Sequence, residues 1–248
     1  MKKLVFILAV LISTVAFSQN KSEVQSTKNK TGFVEEKSGN QTFSGNYVNG
    51  KKEGCWVQYN EKNLLRGVTE YKNDKKNGIA VTLNAQGSLE LEEHFVDDVY
   101  QGEIRKYLRG NYLSEVATYE KGVMNGEFKR YYSDKPGVLM EEATFVNGLK
   151  QGISKWYSND GKILAQYTYD KGKFNGKNTQ FHPNGNVMSE EEFENDTPVG
   201  TYKEYFDDGT TLKLTGKFTN GKRNGEWIEY NQSGQTVSKM KYVNGELK

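Results

Sequence analysis

Phe218–Tyr230 reads Phe-Thr-Asn-Gly-Lys-Arg-Asn-Gly-Glu-Trp-Ile-Glu-Tyr, and Tyr47–Tyr59 reads Tyr-Val-Asn-Gly-Lys-Lys-Glu-Gly-Cys-Trp-Val-Gln-Tyr. Two near copies so far apart in one chain mark a tandem repeat, and the period of a repeat decides a fold before any single residue does. The aromatic that opens each copy recurs as Tyr47, Tyr71, Phe95, Tyr119, Phe145, Tyr169, Phe193, Phe218 and Tyr242, in steps of 24, 24, 24, 26, 24, 24, 25 and 24 residues.

Further columns keep this register. Three residues after the aromatic stands Gly or Asp: Gly50, Asp74, Asp98, Gly122, Gly148, Gly172, Asp196, Gly221 and Gly245. Four residues later the column is pure glycine: Gly54, Gly78, Gly102, Gly126, Gly152, Gly176, Gly200 and Gly225. Both columns fit left-handed backbone, which Gly adopts freely and Asp better than most. We read the second column as structural turn glycines of a Gly/Asp-x-x-x-Gly loop. A phosphate loop would be single and followed by Lys-Ser/Thr and a helix. A second turn follows each unit's Tyr59-type position, as in Asn159-Asp160-Gly161 and Asp207-Asp208-Gly209, both short hairpin signals.

Between the turns apolar residues alternate with polar ones. Leu89, Leu91 and Phe95 share one parity, as do Ile163, Ala165, Tyr167 and Tyr169, while Glu90, Glu92 and His94 take the other. Period-two alternation predicts strands with one buried and one wet face. The expected fold is all-β: an elongated, single-layer, twisted antiparallel sheet of tandem β-hairpins, with units starting near residues 47, 71, 95, 119, 145, 169, 193 and 218. Scarce aliphatics, 26 glycines and 12% aromatics suit so thin a sheet.

The ends read differently. Lys2 and Lys3 precede an apolar run from Leu4 to Ile12, and Ala16 and Ser18 stand at −3 and −1 of a cut before Gln19. That order predicts a signal peptide over 1–18, hence an exported protein, periplasmic, outer-surface or secreted. Residues 19–38, rich in Lys, Ser, Thr, Asn and Glu, read as a flexible linker, and 39–248 as the repeat domain, with Gly39 and Phe43 to Asn46 as a capping strand. The chain has 34 basic and 32 acidic residues; 1–18 hold two Lys and no acid, so the mature chain carries 32 of each. A neutral chain is a poor candidate for nucleic acid or for adhesion to anionic membrane by bulk charge.

The search for catalytic groups gives little. His94 and His182 lie more than three units apart, on the order of 35 Å at strand spacing, too far to share a metal ion. Glu92–Glu93, Glu141–Glu142 and Glu190 to Glu192 recur at one strand position and are expected on a solvated face. Cys55, the single cysteine, cannot form an internal bridge and is expected as a small half-buried residue beside Trp56. No catalytic residue, metal or cofactor is expected. The candidate binding surface is aromatic: Trp56, Trp156, Trp227, Tyr202 and Phe128, amphipathic groups suited to extended contacts.

The pattern aromatic-x-Asn-Gly-(x)3-Gly-x-Trp-x-x-Tyr, as it stands at Tyr47–Tyr59 and Phe218–Tyr230, resembles the MORN repeat in its variant form, common in bacterial exported and antitoxin-labelled proteins. The resemblance covers residues 39–248. It implies the same single-layer sheet and a non-enzymatic, protein-binding role as scaffold, adaptor or antitoxin-like neutralising partner of another exported or envelope protein. Glycan or membrane contact is the alternative. The column of Trp56, Phe128, Tyr202 and Trp227 becomes Ala80, Ile104, Ser154 and Asn178 in other units, so any aromatic groove is interrupted.

Overall fold

A computed structural model of the protein describes residues 30–248. The signal peptide assigned to 1–18 and the linker's first part lie outside the described residues. The rest is one open sheet of 21 strands, with no helix among the described residues. Each strand pairs antiparallel with the one before and the one after it in the chain. Val99–Tyr100 and Gly102–Leu108 form one interrupted strand, as do Lys173–Phe174 and Gly176–Phe181. At strand spacing the meander runs roughly 90 Å, about three times its width.

Each unit has a leading strand, such as Leu65–Lys72, which enters a tight turn, and a bulged strand, such as Lys75–Leu83, which leaves it. Both central turn residues have positive φ, as at Asn49 (51°) and Gly50 (77°) or Asp97 (51°) and Asp98 (69°). This is the type I′ geometry whose twist matches a hairpin. Every turn tip is tied to the unit before it. Asp74 N–H donates to Lys52 O at 3.0 Å, and Gly148 N–H to Met124 O at 2.8 Å. Where the column holds Asp, the carboxylate also accepts an N–H of the preceding unit: Asp74 from Lys52, Asp98 from Lys76 and Asp196 from Phe174. Asp at these places therefore does more than tolerate left-handed backbone.

All eight glycines of the pure column have positive φ, from 68° at Gly200 to 129° at Gly126. They do not close the turn, however. Each lies inside or at the break of the bulged strand, where three residues face one: Gly54, Cys55 and Trp56 stand opposite Gly45, and Gly225, Glu226 and Trp227 opposite Gly216. Only left-handed backbone lets the strand step out and rejoin the ladder.

The sheet begins earlier than the composition suggests. Gly32–Ser38 pairs with Gln41–Val48 through a two-residue turn. Gly50 N–H donates to Lys30 O, just as Asp74 N–H does to Lys52 O. Gly32–Ser38 thus takes the place of a further unit's second strand rather than linker, with Gly32 at positive φ (109°) where Gly54 stands in the next unit. A shortened second turn shifts it out of the common period, which hid it in the sequence.

Candidate binding surface

Alternation gives the sheet two unlike faces. The seam face carries the opening aromatics and a row of residues in register from unit to unit. Trp56 pairs with Thr69, Ala80 with Glu93, Ile104 with Ala117, Phe128 with Ala143, Asn178 with Glu191, Tyr202 with Gly216 and Trp227 with Met240. This row is the core. Trp56 is 3% exposed, Phe128 5% and Trp227 0%. Sizes compensate across each bulge: Trp56 sits over Gly45, Trp227 over Gly216 and Phe128 beside Ala117. Lys52 stands 4.2 Å over the Trp56 ring, and the Arg223 guanidinium 4.1 Å over that of Trp227.

The aromatic surface expected from the sequence is therefore corrected. Trp56, Phe128 and Trp227 are core, because their rings lie across the small residues Gly45, Ala117 and Gly216 of the neighbouring strands. Tyr202 is half-buried and stacks on Trp227 at 5.6 Å. Trp156 is half-buried one row away on the same face, under Lys150.

The acidic pairs do not share a solvated face either. Glu93 and Glu141 are buried on the seam face. Glu93 accepts the Tyr100 hydroxyl at 2.6 Å. Glu141 is held by Lys150 at 2.5 Å and Arg130 at 3.6 Å, and Arg130 reaches on to Glu115. Glu191 has its carboxyl raised by burial.

Their neighbours Glu92, Glu142 and Glu190 lie on the other, open face. Each takes a tyrosine hydroxyl and a cation: Tyr107 and Arg105, Tyr157 and Lys155, Tyr205 and Lys177. Burial alone would raise Glu142, but Tyr157 and Lys155 outweigh it and hold it below the carboxylate range. Tyr157 is pushed up to about 12 by burial and then by Glu142. Sequence reading had the strand parity needed to separate these acids, since Glu93 shares that of Leu91 and Phe95; their charge masked it.

Cys55 is exposed on the open face, paired with Glu70, rather than half-buried beside Trp56. Its thiol is pushed up by its surroundings and by Glu70. Among the described residues no three His, Cys, Asp or Glu side chains gather as a metal site.

With this geometry in place, comparison with known proteins gives a class. Residues 150–171, 174–195 and 223–244 match the MORN repeat variant. All three stretches start at the same column, Lys150, Phe174 and Arg223, so the family's unit and the hairpin read from the sequence coincide. Three stretches of the chain are thus similar to the MORN repeat variant, and its other units repeat their backbone pattern.

No curated protein sequence matches the chain. Among solved structures, a crystal structure of TcdB2-TccC3 aligns over 80% of this chain at 12% identity and a TM-score of 0.17, and this chain spans only 15% of that one. A likeness so slight carries no argument.

Proposed function

We propose that this chain is an exported, non-enzymatic binding protein whose ligand is another protein of the envelope or the outside medium. It would act as a scaffold or adaptor, or as a neutralising partner of the kind its resemblance to antitoxin-labelled proteins suggests. One observation carries this reading: the open face runs the length of the sheet, and three of its carboxylates are each fixed by a tyrosine hydroxyl and a cation, as in Tyr107–Glu92–Arg105 and Tyr157–Glu142–Lys155. Where such pairs stand, the cations are held by carboxylates rather than offered to phosphate-bearing polymers or anionic lipid. The face offers length, rigidity and side chains fixed in place, which suit a protein surface.

The test is affinity capture from envelope extract with the purified mature chain, read by mass spectrometry. One protein retained in stoichiometric amount is the expected result. Glycan or lipid retained in place of protein would overturn the reading.

A further inference from the structure

The two end strands of the sheet have edges that interior strands lack. Gly32–Ser38 pairs with Gln41–Val48 on one side. Thr236–Val243 pairs with Lys222–Tyr230 on one side, and on the other Glu246–Leu247 covers only Tyr242 and Val243. Among the described residues no strand covers the outer edge of Gly32–Ser38 or of Thr236–Met240. Such edges hold a row of unpaired N–H and C=O groups, a template for one more strand.

The interior joints fix how that strand would seat. There the residue three before the opening aromatic pairs with the residue three after the pure-column glycine: Glu92 with Arg105, Glu142 with Lys155 and Glu190 with Lys203. At the two ends the signs reverse. Counted from Tyr242, the first of these places holds Lys239; counted from Gly32, the second holds Glu35. In no interior strand is the first place a cation or the second an acid. Within the chain Lys239 stands beside Ile228 and Glu35 beside Ser44. Both are exposed, and neither makes an ion pair among the described residues.

Two copies set end to end in the interior register bring Lys239 against Glu35 and Ser238 against Glu36. They also continue the core row. Val34 holds the place of Trp56 and Trp227, and Met240 that of Gly45 and Gly216, yet both are only half-buried, whereas Trp56, Ala80, Ile104, Phe128 and Trp227 in Val34's column are buried. Phe33, Val237 and Leu247, at 59–61% the most exposed large apolar side chains described, all lie on these two end hairpins. Pairing Thr236–Val243 with its own counterpart about Met240 would instead set Lys239 against Lys241, which like charge disfavours.

We propose that copies of this chain join head to tail, Gly32–Ser38 of one copy pairing antiparallel with Thr236–Met240 of the next, with Glu35 opposite Lys239 and Val34 meeting Met240. The contact is heterologous, so each added copy presents the same free edge again and the sheet lengthens without closing. This goes beyond the protein-binding reading and does not rest on it.

Sedimentation equilibrium of the mature chain over a wide range of concentration tests the proposal. The weight-average mass should climb past that of a dimer without a plateau. Lys239→Glu and Glu35→Lys should each weaken association about tenfold. Mixing the two variants should restore it, because each edge then meets one of opposite charge. Both side chains are exposed and without ion pairs, so each variant should keep the parent's circular dichroism and, in dilute solution, its melting.

A parent that stays monomeric would overturn the proposal, as would a mass that stops at the dimer. A response to only one of the two variants would overturn it too, since one edge would then pair with its own counterpart. So would a mixture that associates no better than the variants alone.

Discussion

A Cβ built on Gly45 would lie 2.5 Å from the Trp56 ring, and one on Gly216 would lie still closer to Trp227. The two largest rings of the core thus occupy the space that two missing side chains leave. Gly216→Ala should destabilise the protein by about 1–3 kcal/mol, the usual cost of overpacking, although alanine suits an extended strand no worse than glycine. Denaturant unfolding of parent and variant measures this directly.

The two tryptophans should respond differently to truncation. Trp56 Nε1 donates to Asn46 O at 3.1 Å, whereas the buried Trp227 Nε1 has no hydrogen-bond partner. Trp56→Phe loses ring volume and leaves a carbonyl short of a donor. Trp227→Phe loses volume and removes an unmet donor. The first should cost about 1 kcal/mol more than the second, read as the difference between two equilibrium unfolding curves.

The seam-face acid Glu141 is 2% exposed and held between Lys150 and Arg130. Glu141→Ala would leave two cations crowded against a dry row. Lys150 and Arg130 are partly exposed and Arg130 keeps Glu115, so the loss should be about 1–2 kcal/mol. The loss should survive in high salt, unlike that of an exposed pair such as Lys248–Glu246.

Left-handed turns predict a gain. Lys121 and Lys171 hold φ of 50° and 49° at the place where Asn49, Asn147 and Asn220 stand in other units. Lysine pays a steric cost there that asparagine largely avoids. Lys121→Asn and Lys171→Asn should each stabilise by about 0.5–1 kcal/mol, and their effects should add because two full units separate them. A rise in melting temperature for each single variant, and a larger one for the double, checks this.

Alkaline pH should unfold the sheet through its phenols. Tyr47 and Tyr202 are pushed up to about 12 by burial and then by Glu36 and Glu204 respectively; Tyr100 reaches about 12 through its hydrogen bond to Glu93 and then burial. In the unfolded chain these groups ionise at about 10. Because their folded values are higher, their contribution is fully present below about pH 10 and is lost as pH rises through about 12. Absorbance of tyrosinate across that range should show these phenols ionising late, with melting temperature falling in step.

Much of this was legible in the sequence, and the reasons are local. A two-residue turn with both φ positive demands Asn, Asp or Gly, so Asn49-Gly50 and Asn147-Gly148 announced themselves. Alternation such as Leu89, Leu91, Phe95 announced the strands. What stayed hidden depends on pairing between strands. Nothing near Trp56 in sequence says that Gly45 will lie beneath it, because the three-against-one bulge sets that meeting. The same bulge turns the aromatics that looked most available for contact into core. The aliphatic positions Val96, Val99, Val123, Val146 and Leu149 read as ordinary strand residues until the ladder placed them side by side on the wet face.

The tie between each turn tip and the unit before it has a mechanical consequence. Every strand neighbours only the strands next to it in the chain, so a pull on the two ends loads the ladder one rung at a time, like a zipper. At one margin a catch stands at every unit, as where Asp98 bonds the amide and carbonyl of Lys76. Under tension the sheet would pay out in hairpin-sized steps, each released when its catch yields, and re-close unit by unit when the load is removed.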